Sequence, residues 1–346
     1  MRKLDALTES DLQLVTQNKL SLMVSAALSH LPWLVHAFSL RYVRADSGDT
    51  SRPRAREFNL GFTPGASRSE VKRNRRRFIR ALDGCMVPAS VHQIHSAAVW
   101  QVRRRRDSEA HHLEAPDAGA SLPEYRPAGS LRPDDSRGQA ERAGDALMTS
   151  QPGILLTIRT ADCLPVLLVD KRLRAIAAIH AGWRGALARV IEKTVGEMRR
   201  AFGSRPADLL AVLGPAIGRC CYEVGDEVVD AFHGQFKESD SFFHKPVSGA
   251  EPQRSELRYE LLFHTQAPPG HRREPHGLHL DLAAVARAQL LAAGLNPSVI
   301  HASDYCTVCR PDLFFSHRRD SERAGRMMAG IGIKDQGLRA RDGREG

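Results

Sequence analysis

Four short apolar runs in the middle of the chain constrain its fold more than any other feature. They cover residues 154–158, 164–169, 175–179 and 209–213, and polar or glycine-bearing segments separate them. Runs of this length are typical of strands that are buried on both faces. Helical spacing of apolar residues follows the third run, over residues 186–202, and recurs in the segment before Gly294. This alternation of strands and helices predicts an α/β protein with mixed β-sheets flanked by helices.

The rest of the chain is organised around that central segment. With 346 residues, of which 42% are hydrophobic, the chain is long enough to bury one large core. We expect a single domain over residues 34–334, preceded by a helical extension over 1–33 and followed by a flexible tail over 335–346. Residues 101–144 and 238–277 lack apolar periodicity, and we interpret both as surface insertions.

The charge balance is basic, with 50 Lys and Arg against 40 Asp and Glu and a net charge of +10. A basic balance favours anionic ligands, although a mixed, solvated surface explains it equally well. Nucleic-acid binding is disfavoured because the arginine run at 103–106 has no interleaved aromatic residues, which make up 6% of the chain. Acidic residues interrupt the N-terminal segment, so we expect no signal peptide. Ser, His and Pro interrupt the apolar stretch over residues 20–38, so we expect no membrane span and a cytoplasmic protein, monomeric or homodimeric.

The six cysteines do not form a disulfide framework in a chain of this length. Two pairs stand out, Cys220 with Cys221 and Cys306 with Cys309. Either pair could bind metal or oxidise. Neither pair has a matching second pair for a structural zinc site, so the sequence predicts no such site from them.

Three candidate metal ligands lie where the predicted strands end. His180 ends the third apolar run, Cys163 lies in the turn between the first two runs, and His95 follows a further candidate strand. Two imidazoles and one thiolate suit Zn²⁺, and three protein ligands leave a fourth position for water or substrate. Spacing alone leaves open the alternative that these side chains are packed or hydrogen-bonded without a metal.

Two glycine-bearing turns lie between predicted strands and helices. In the first, Gly182 and Gly185 permit a tight turn, and the helix N-terminus with Arg184 could hold a phosphate. The alternative is a turn in which Trp183 fills the core. In the second turn, over residues 214–225, Glu223 could act as a general acid or base and Tyr222 could stack on a base, unless the turn is an ordinary loop.

These segments together resemble one known family, the multicopper polyphenol oxidoreductase (laccase-like) family, which is also described as peptidoglycan editing factors and as purine nucleoside phosphorylases. The resemblance runs in order from about residue 34 to 333. It rests on His92-Gln-Ile-His95, Gly144-Asp-Ala-Leu147, Arg159-Thr-Ala-Asp-Cys-Leu-Pro165, His180-Ala-Gly-Trp-Arg-Gly185, Leu213-Gly-Pro-Ala-Ile-Gly218, Cys220-Cys-Tyr-Glu-Val224 and Asp312-Leu-Phe-Phe-Ser-His-Arg-Arg319.

The resemblance implies a zinc ion bound by His95, Cys163 and His180. It selects His95 over His92, because the family's first histidine position varies. It also implies a cleft at the strand ends as the active site, with Cu²⁺ as a possible occupant because copper binds such ligands tightly. A multicopper oxidase needs many more histidines in its motifs, so we favour the family's purine nucleoside chemistry. That chemistry is phosphorolysis of adenosine, inosine and methylthioadenosine to the base and ribose 1-phosphate, with adenosine deamination.

We expect further residues around the metal to take part in the chemistry. Asp162 and Glu223 are the candidate proton carriers, beside Cys163 and Arg184 in the catalytic set. The residues predicted to bind the nucleoside and phosphate are Arg41, Arg75, Gln93, Gly182, Gly185 and Tyr222. Ser96 stands where the family usually has glycine, so we expect an altered loop around His95.

Two other activities of the same site stay open from the sequence. One is hydrolytic editing of a peptidoglycan precursor. The other is copper-dependent oxidation of phenols, which copper content and a phenol assay distinguish from zinc chemistry.

Overall fold

The structure is a computed structural model that describes residues 11–43, 56–84, 86–104, 123–127, 142–245 and 277–335. The strands within these ranges are β1 Leu12–Gln17, β2 Leu20–Ser25, β3 Leu34–Ser39, β4 Tyr42–Val43, β5 Arg56–Glu57, β6 Val87–Ala89, β7 Val99–Arg104, β8 Pro123–Pro127, β9 Ala146–Thr149, β10 Ile154–Thr160, β11 Leu164–Asp170, β12 Ala175–Ala181, β13 Leu209–Leu213, β14 Glu223–Val224, β15 Phe243–His244, β16 Leu278–Leu280, β17 Ile300–Ala302 and β18 Met327–Ile333. The α-helices are α1 Ala26–Ser29, α2 Arg68–Leu82, α3 Trp183–Leu187, α4 Val190–Phe202, α5 Asp226–Gln235, α6 Leu282–Ala292 and α7 His317–Asp320.

Two large mixed sheets form the centre of the protein. One has six strands in the order β1-β2-β3-β18-β10-β6, and the other has seven in the order β17-β13-β11-β12-β9-β7-β8. The four predicted apolar runs are strands β10 to β13, so that prediction is confirmed. The mixed α/β class that the sequence predicts is confirmed as well.

Alternating residues of β11 show how the layers stack. Leu167 and Val169 pack into the core between the two sheets. Val166 and Leu168 point the other way, into a core that α4 and α6 cover. Helix α2 covers the outer face of the six-stranded sheet, where Phe78 is fully buried. The strands are therefore buried on both faces, which explains their continuous apolar sequence.

The expected helical extension over 1–33 is wrong for residues 12–25. These residues form the antiparallel hairpin β1–β2, and β2 pairs with β3 at the edge of the six-stranded sheet. Leu20 and Leu22 pack on one face of β2 while Met23 packs on the other, which is the period of a strand. Asn18 and Lys19 have φ angles of 48° and 62°, as a two-residue hairpin turn requires.

The helix expected over 186–202 is broken into α3 and α4. Arg189, at the break, has a left-handed φ of 58°. Its guanidinium donates to the carbonyl of Gln235 at 2.9 Å and lies over the Phe236 ring at 4.3 Å. The helix that follows Gly182 is therefore only five residues long, so the anion-binding helix N-terminus that the sequence suggested is much weaker than a long helix would provide.

The two predicted insertions lie largely outside the described residues. Residues 101–104 belong to the first insertion and were expected to form a loop. They form the end of β7 instead, and β7 pairs with β8 and β9. The predicted tail from 336 onward also lies outside the described residues, and the boundaries of the domain stay predictions. No helix in the described ranges has the length and apolar character that crossing a bilayer demands.

Candidate metal centre

His95, Cys163 and His180 come together where three segments of the seven-stranded side of the protein meet. Strands β11 and β12 pair with Pro165 opposite His180, which places the turn carrying Cys163 beside the end of β12. His95 reaches the same point from the segment between β6 and β7. The Cys163 Sγ lies 3.7 Å from His95 Nε2, and one donor atom from each of the three lies within 4.8 Å of the others.

Asp145, immediately before β9, holds two of these residues in place. It is fully buried. Its Oδ1 lies 2.8 Å from His180 Nδ1 and accepts the backbone N–H of His95 at 3.0 Å. Its Oδ2 accepts the backbone N–H of Ser96 at 2.6 Å and the Ser96 hydroxyl at 2.8 Å. Because Nδ1–H of His180 donates to this carboxylate, Nε2 is left to face Cys163, which is the usual second contact of a metal-bound histidine.

The charges around Cys163 favour its thiolate. Burial raises the pKa of the Cys163 thiol, but the opposing charge of His180 and the hydrogen bonds from His180 and His95 lower it by more. Burial likewise raises the pKa of Asp145, yet its hydrogen bonds from His180 and Ser96 leave that pKa below its ordinary value. A thiolate and a buried carboxylate beside two imidazoles form the electron-rich surroundings that attract a cation.

Gly182 closes the floor of this cluster. A Cβ at this position would stand 2.8 Å from His95 Cδ2 and 2.9 Å from Cys163 Sγ. The absence of a side chain therefore allows the two ligands to approach the end of β12. Gly185 is also tightly packed, with a Cβ falling 3.1 Å from the Ser96 carbonyl oxygen. Both glycines contribute to the site because the absence of a side chain lets neighbouring groups pack closely. Neither presents the N–H groups of a long helix.

Asp162 lies beside Cys163, but both of its carboxylate oxygens are already engaged. Oδ1 accepts the Thr307 hydroxyl at 2.6 Å, and Oδ2 accepts the backbone N–H of Arg318 at 2.6 Å. The residue is buried and has a φ of 89°. These contacts anchor the Cys163 turn to the loop after β17, which carries Thr307, and to helix α7, which carries Arg318.

The predicted substrate residues Gln93, Arg41 and Arg75 are held by protein contacts. Gln93 donates to the Arg159 carbonyl at 2.7 Å and accepts the Arg159 backbone N–H at 2.9 Å. Arg41 pairs with Glu57 at 2.8 Å. Arg75 donates to the Leu60 carbonyl at 2.8 Å and stacks over Phe62. A substrate phosphate would have to compete with these partners.

Tyr222 lies within electrostatic reach of Cys163 and Arg184, and Glu223 is the exposed residue that follows Tyr222 in the chain. Burial raises the pKa of Tyr222, and the negative charge of Cys163 raises it further, so the phenol stays protonated within electrostatic reach of the thiolate. The Arg318 guanidinium lies over the Tyr222 ring at 5.2 Å and donates to the Glu223 carbonyl at 2.9 Å. Arg184 is exposed and stacks on Trp183 at 4.2 Å.

Sequence reasoning missed two residues. Asp145 lies in the segment Gly144-Asp-Ala-Leu147, which matched the family without a role being assigned. Arg326 is half-buried, and burial lowers the pKa of its guanidinium against the opposing negative charges of Cys163 and Asp162. No sequence signal marked Arg326, because it reaches the site from the loop before β18, which is remote in the chain.

A second group of possible metal ligands lies elsewhere in the described residues. The donor atoms of Cys220, Cys221, Cys306 and Cys309 lie within 4.8 Å of one another. The expectation that neither cysteine pair has a matching second pair is therefore wrong. Each pair is the other's match, brought together by the pairing of β13 with β17, which the sequence spacing does not show.

The chain is similar in sequence and in structure to known proteins. The family model described as multi-copper polyphenol oxidoreductase laccase matches residues 41–334. The purine nucleoside phosphorylase YlmD of Geobacillus stearothermophilus is 31% identical over 290 residues, which cover 84% of this chain and 88% of that protein. Its crystal structure superposes with a TM-score of 0.65 at 27% identity, covering 94% of this chain and all of the other.

Two further relatives match over shorter spans. A purine nucleoside phosphorylase of Bacteroides thetaiotaomicron is 38% identical over 189 residues, which cover 55% of this chain and 60% of that protein. The adenosine deaminase RL5, from an unknown prokaryotic organism, is 35% identical over 198 residues, covering 57% of this chain and 65% of the relative. In both cases the match spans less than two thirds of the relative.

Proposed function

This chain belongs to the multi-copper polyphenol oxidoreductase laccase family, and from that membership we propose that it is a zinc-dependent purine nucleoside phosphorylase that also deaminates adenosine. Its substrates would be adenosine, inosine or methylthioadenosine, with phosphate as the second substrate of the phosphorylase reaction. The observation that carries the proposal is the convergence of His95, Cys163 and His180 over the buried carboxylate of Asp145. Relatives named for both activities support it.

The donor set fits zinc. One thiolate and two imidazoles are ligands that zinc prefers, and three protein ligands leave a position open for chemistry. The donor groups favour zinc over the several coppers of a multicopper oxidase, because within the described residues the remaining candidate metal group contains only cysteines. A bound zinc ion would act as a Lewis acid that activates water or stabilises charge developing on the purine.

The chain's own residues position and protonate the substrate. Asp145 holds the ring of His180 by accepting its Nδ1–H, so Nε2 keeps its orientation. Tyr222, as a protonated phenol beside Cys163, can donate a hydrogen bond to the purine or stack on it. Arg184 is exposed and bonded to no carboxylate among the described residues, so we assign it, ahead of Arg41 and Arg75, to the phosphate.

The two candidate proton carriers differ in how their carboxylates are used. Asp162 is engaged at both oxygens by Thr307 and Arg318, which favours a positioning role. Glu223 is exposed beside Tyr222, and we propose it as the general acid or base of the deaminase reaction. If so, Glu223→Gln removes one limb of the pH–rate profile, whereas Asp162→Asn lowers kcat without removing a limb.

The experiment that tests the function begins with the metal content of the purified protein. It continues with adenosine turnover in the presence and absence of phosphate. Adenine and ribose 1-phosphate establish phosphorolysis, and inosine formed without phosphate establishes deamination. The Cys163→Ala variant should lose the zinc of this site and both activities. His92→Ala is the matched control, because His92 lies three residues before His95 and outside the ligand group. Full adenosine turnover by Cys163→Ala protein that has lost the zinc of this site would overturn the proposal.

A further inference from the structure

Two neighbouring loops each carry a pair of cysteines. Strands β13 and β17 are parallel neighbours in the seven-stranded sheet, so the loops that follow them leave the sheet side by side. The first loop contains Cys220 and Cys221, and the second contains Cys306 and Cys309. The backbones of the loops also meet, because Thr307 N–H donates to the Ala216 carbonyl at 3.0 Å.

The sulfur atoms have the spacing of ligands around one ion. Cys309 Sγ lies 3.6 Å from Cys220 Sγ and 3.4 Å from Cys221 Sγ, and one Sγ from each of the four cysteines lies within 4.8 Å of the others. A disulfide would hold two sulfurs at about 2.05 Å. Four thiolates around Zn²⁺, at Zn–S distances of about 2.3 Å, stand roughly 3.8 Å apart at the corners of a tetrahedron. The observed separations match the second arrangement.

The surrounding backbone supports a ligand role for Cys306. This residue is buried, and its Sγ accepts the backbone N–H of Gly218 at 3.3 Å. A Cβ at Gly218 would lie 3.2 Å from both Cys220 Sγ and Cys306 Cβ, so glycine allows the first loop to fold closely around the sulfurs. A backbone N–H that donates to a thiolate disperses the charge which a metal-bound sulfur carries. The spacing of Cys306 and Cys309, with two residues between them, is common among zinc ligands.

We propose that Cys220, Cys221, Cys306 and Cys309 bind one zinc ion in a closed, structural thiolate site, separate from the centre at His95, Cys163 and His180. Four protein ligands complete a tetrahedron and leave no position for substrate. Soft thiolates and tetrahedral geometry select zinc or iron–sulfur centres. The sulfurs lie close enough to share one ion, whereas a cluster of several irons and sulfides would need them farther apart.

The site would fasten the two loops that border the first centre. In the first loop, Ile217 N–H donates to the Asp162 carbonyl at 2.9 Å, and Tyr222 N–H donates to the Gly218 carbonyl at 3.1 Å. In the second, the Thr307 hydroxyl donates to Asp162 at 2.6 Å. Metal bound by the cysteines therefore fixes the position of the residue next to Cys163, and of Tyr222, without touching substrate.

The test compares the metal content of three full-length proteins purified under reducing conditions: the wild type, Cys163→Ala and Cys306→Ser. We expect Cys163→Ala to retain one zinc ion per chain and Cys306→Ser to contain one ion fewer than the wild type. If the first centre binds no zinc, Cys163→Ala equals the wild type while Cys306→Ser still loses its ion. The failure of the proposed function is thereby distinguishable from the failure of this inference.

Two further measurements do not need Cys306→Ser, in case that variant does not fold. The native protein is alkylated with and without a zinc chelator, and the modified peptides are identified by mass spectrometry. We expect the four cysteines to be protected together and to become reactive together when zinc is removed. Cobalt substitution of Cys163→Ala should give the absorption of a tetrahedral thiolate complex.

Three outcomes contradict the inference. The first is a disulfide joining the two cysteine-bearing peptides in freshly purified protein. The second is free alkylation of all four thiols at equal rates with and without chelator. The third is iron with sulfide, in place of zinc, in the Cys163→Ala protein.

Discussion

The carboxylate of Asp145 lies 2.8 Å from Nδ1 of His180 and, through the same oxygen, 3.0 Å from the backbone nitrogen of His95. One buried side chain thus orients a histidine ring and also fixes the turn that presents the second histidine. His95 has a φ of 60°, a strained conformation for a residue other than glycine. The hydrogen bonds to Asp145 hold the turn in that conformation.

The Asp145→Asn substitution should therefore weaken metal binding at the first centre. An amide in place of the carboxylate presents N–H groups toward backbone donors or toward His180, so at least one buried contact becomes repulsive. Loss of such a supporting partner typically lowers metal affinity by 10–100-fold. Zinc affinity, measured by competition with a chelator, should fall by about that factor.

Ser96→Ala is the matched control for Asp145→Asn. It removes one hydroxyl donor to Asp145 but leaves the Ser96 backbone N–H and the His180 contact in place. We expect its zinc affinity to fall by less than that of Asp145→Asn, with the circular dichroism of both variants unchanged. Equal zinc affinity in Asp145→Asn and the wild type would show that the carboxylate does not support the ligands.

Gly182→Ala should abolish metal binding at the first centre without unfolding the protein. The added Cβ would lie 2.8 Å from His95 Cδ2 and 2.9 Å from Cys163 Sγ, so one of these two ligands must move away. The matched control is Gly196→Ala on α4, where a Cβ meets nothing within 4 Å. In an exposed helix interior this change should raise the free energy of unfolding by roughly 0.5–1 kcal/mol. Normal zinc content in Gly182→Ala protein would contradict the described packing.

The sequence predicted the strands better than the pairings between them. Residues 154–213 show their strands directly, since continuous apolar runs mark burial on both faces. The hairpin at residues 12–25 was mistaken for helix because Leu22 to Val24 is continuously apolar and shows no alternation. A short apolar run of this kind does not distinguish strand from helix without knowledge of its partner.

In the candidate site as well, the sequence predicted the residues that lie in local motifs but not the contacts between distant segments. His95, Cys163 and His180 were found because each lies in a motif, and the resemblance joined the motifs. Asp145 was in a motif too, but its role depends on contacts across 35 residues to His180 and 50 residues to His95. The match between the two cysteine pairs depends on β13 lying beside β17, a long-range pairing that no local spacing encodes.

Thr307→Val should destabilise the protein and disturb the first centre. Thr307 is fully buried, and its hydroxyl is one of two groups that bond to the carboxylate of Asp162. Valine has a similar shape but no hydroxyl, so Oδ1 of Asp162 loses a partner in a buried place. Leaving a buried carboxylate short of a donor costs about 1–3 kcal/mol. Urea unfolding should show a loss of this size.

Thr307→Ser provides the control for Thr307→Val. Serine keeps the hydroxyl and removes only a methyl group, so it should retain the hydrogen bond to Asp162. Its loss of stability should stay near the value of one buried methylene, about 0.8 kcal/mol, and its kcat should be closer to the wild-type value than that of Thr307→Val. If kcat falls by the same factor in both variants, the hydrogen bond from Thr307 to Asp162 does not support catalysis.

Acid stability should depend on His36, which lies on β3 in the interior of the six-stranded sheet. Its Nε2 accepts the backbone N–H of Ser25 at 2.8 Å. Burial lowers its pKa from 6.5 to about 4, although the negative charge of Asp11 acts in the opposite direction. Between these two pH values His36 is protonated in the unfolded chain but stays neutral in the folded protein. The free energy of unfolding therefore falls as the pH is lowered from 6.5 toward 4, by up to about 3 kcal/mol, and His36 contributes no pH dependence above that window.

His36→Gln isolates this contribution to acid stability. Glutamine can present an acceptor to Ser25 but does not titrate, so the variant should lose stability less steeply than the wild type between pH 6.5 and 4. Asp145 and other carboxylates titrate at low pH in both proteins, and the difference between the two curves removes them. Urea unfolding at pH 7.5, 6 and 5 measures the difference, with equal m-values required for the comparison. Parallel stability curves for the two proteins would show that His36 takes up its proton at the same pH whether the chain is folded or unfolded.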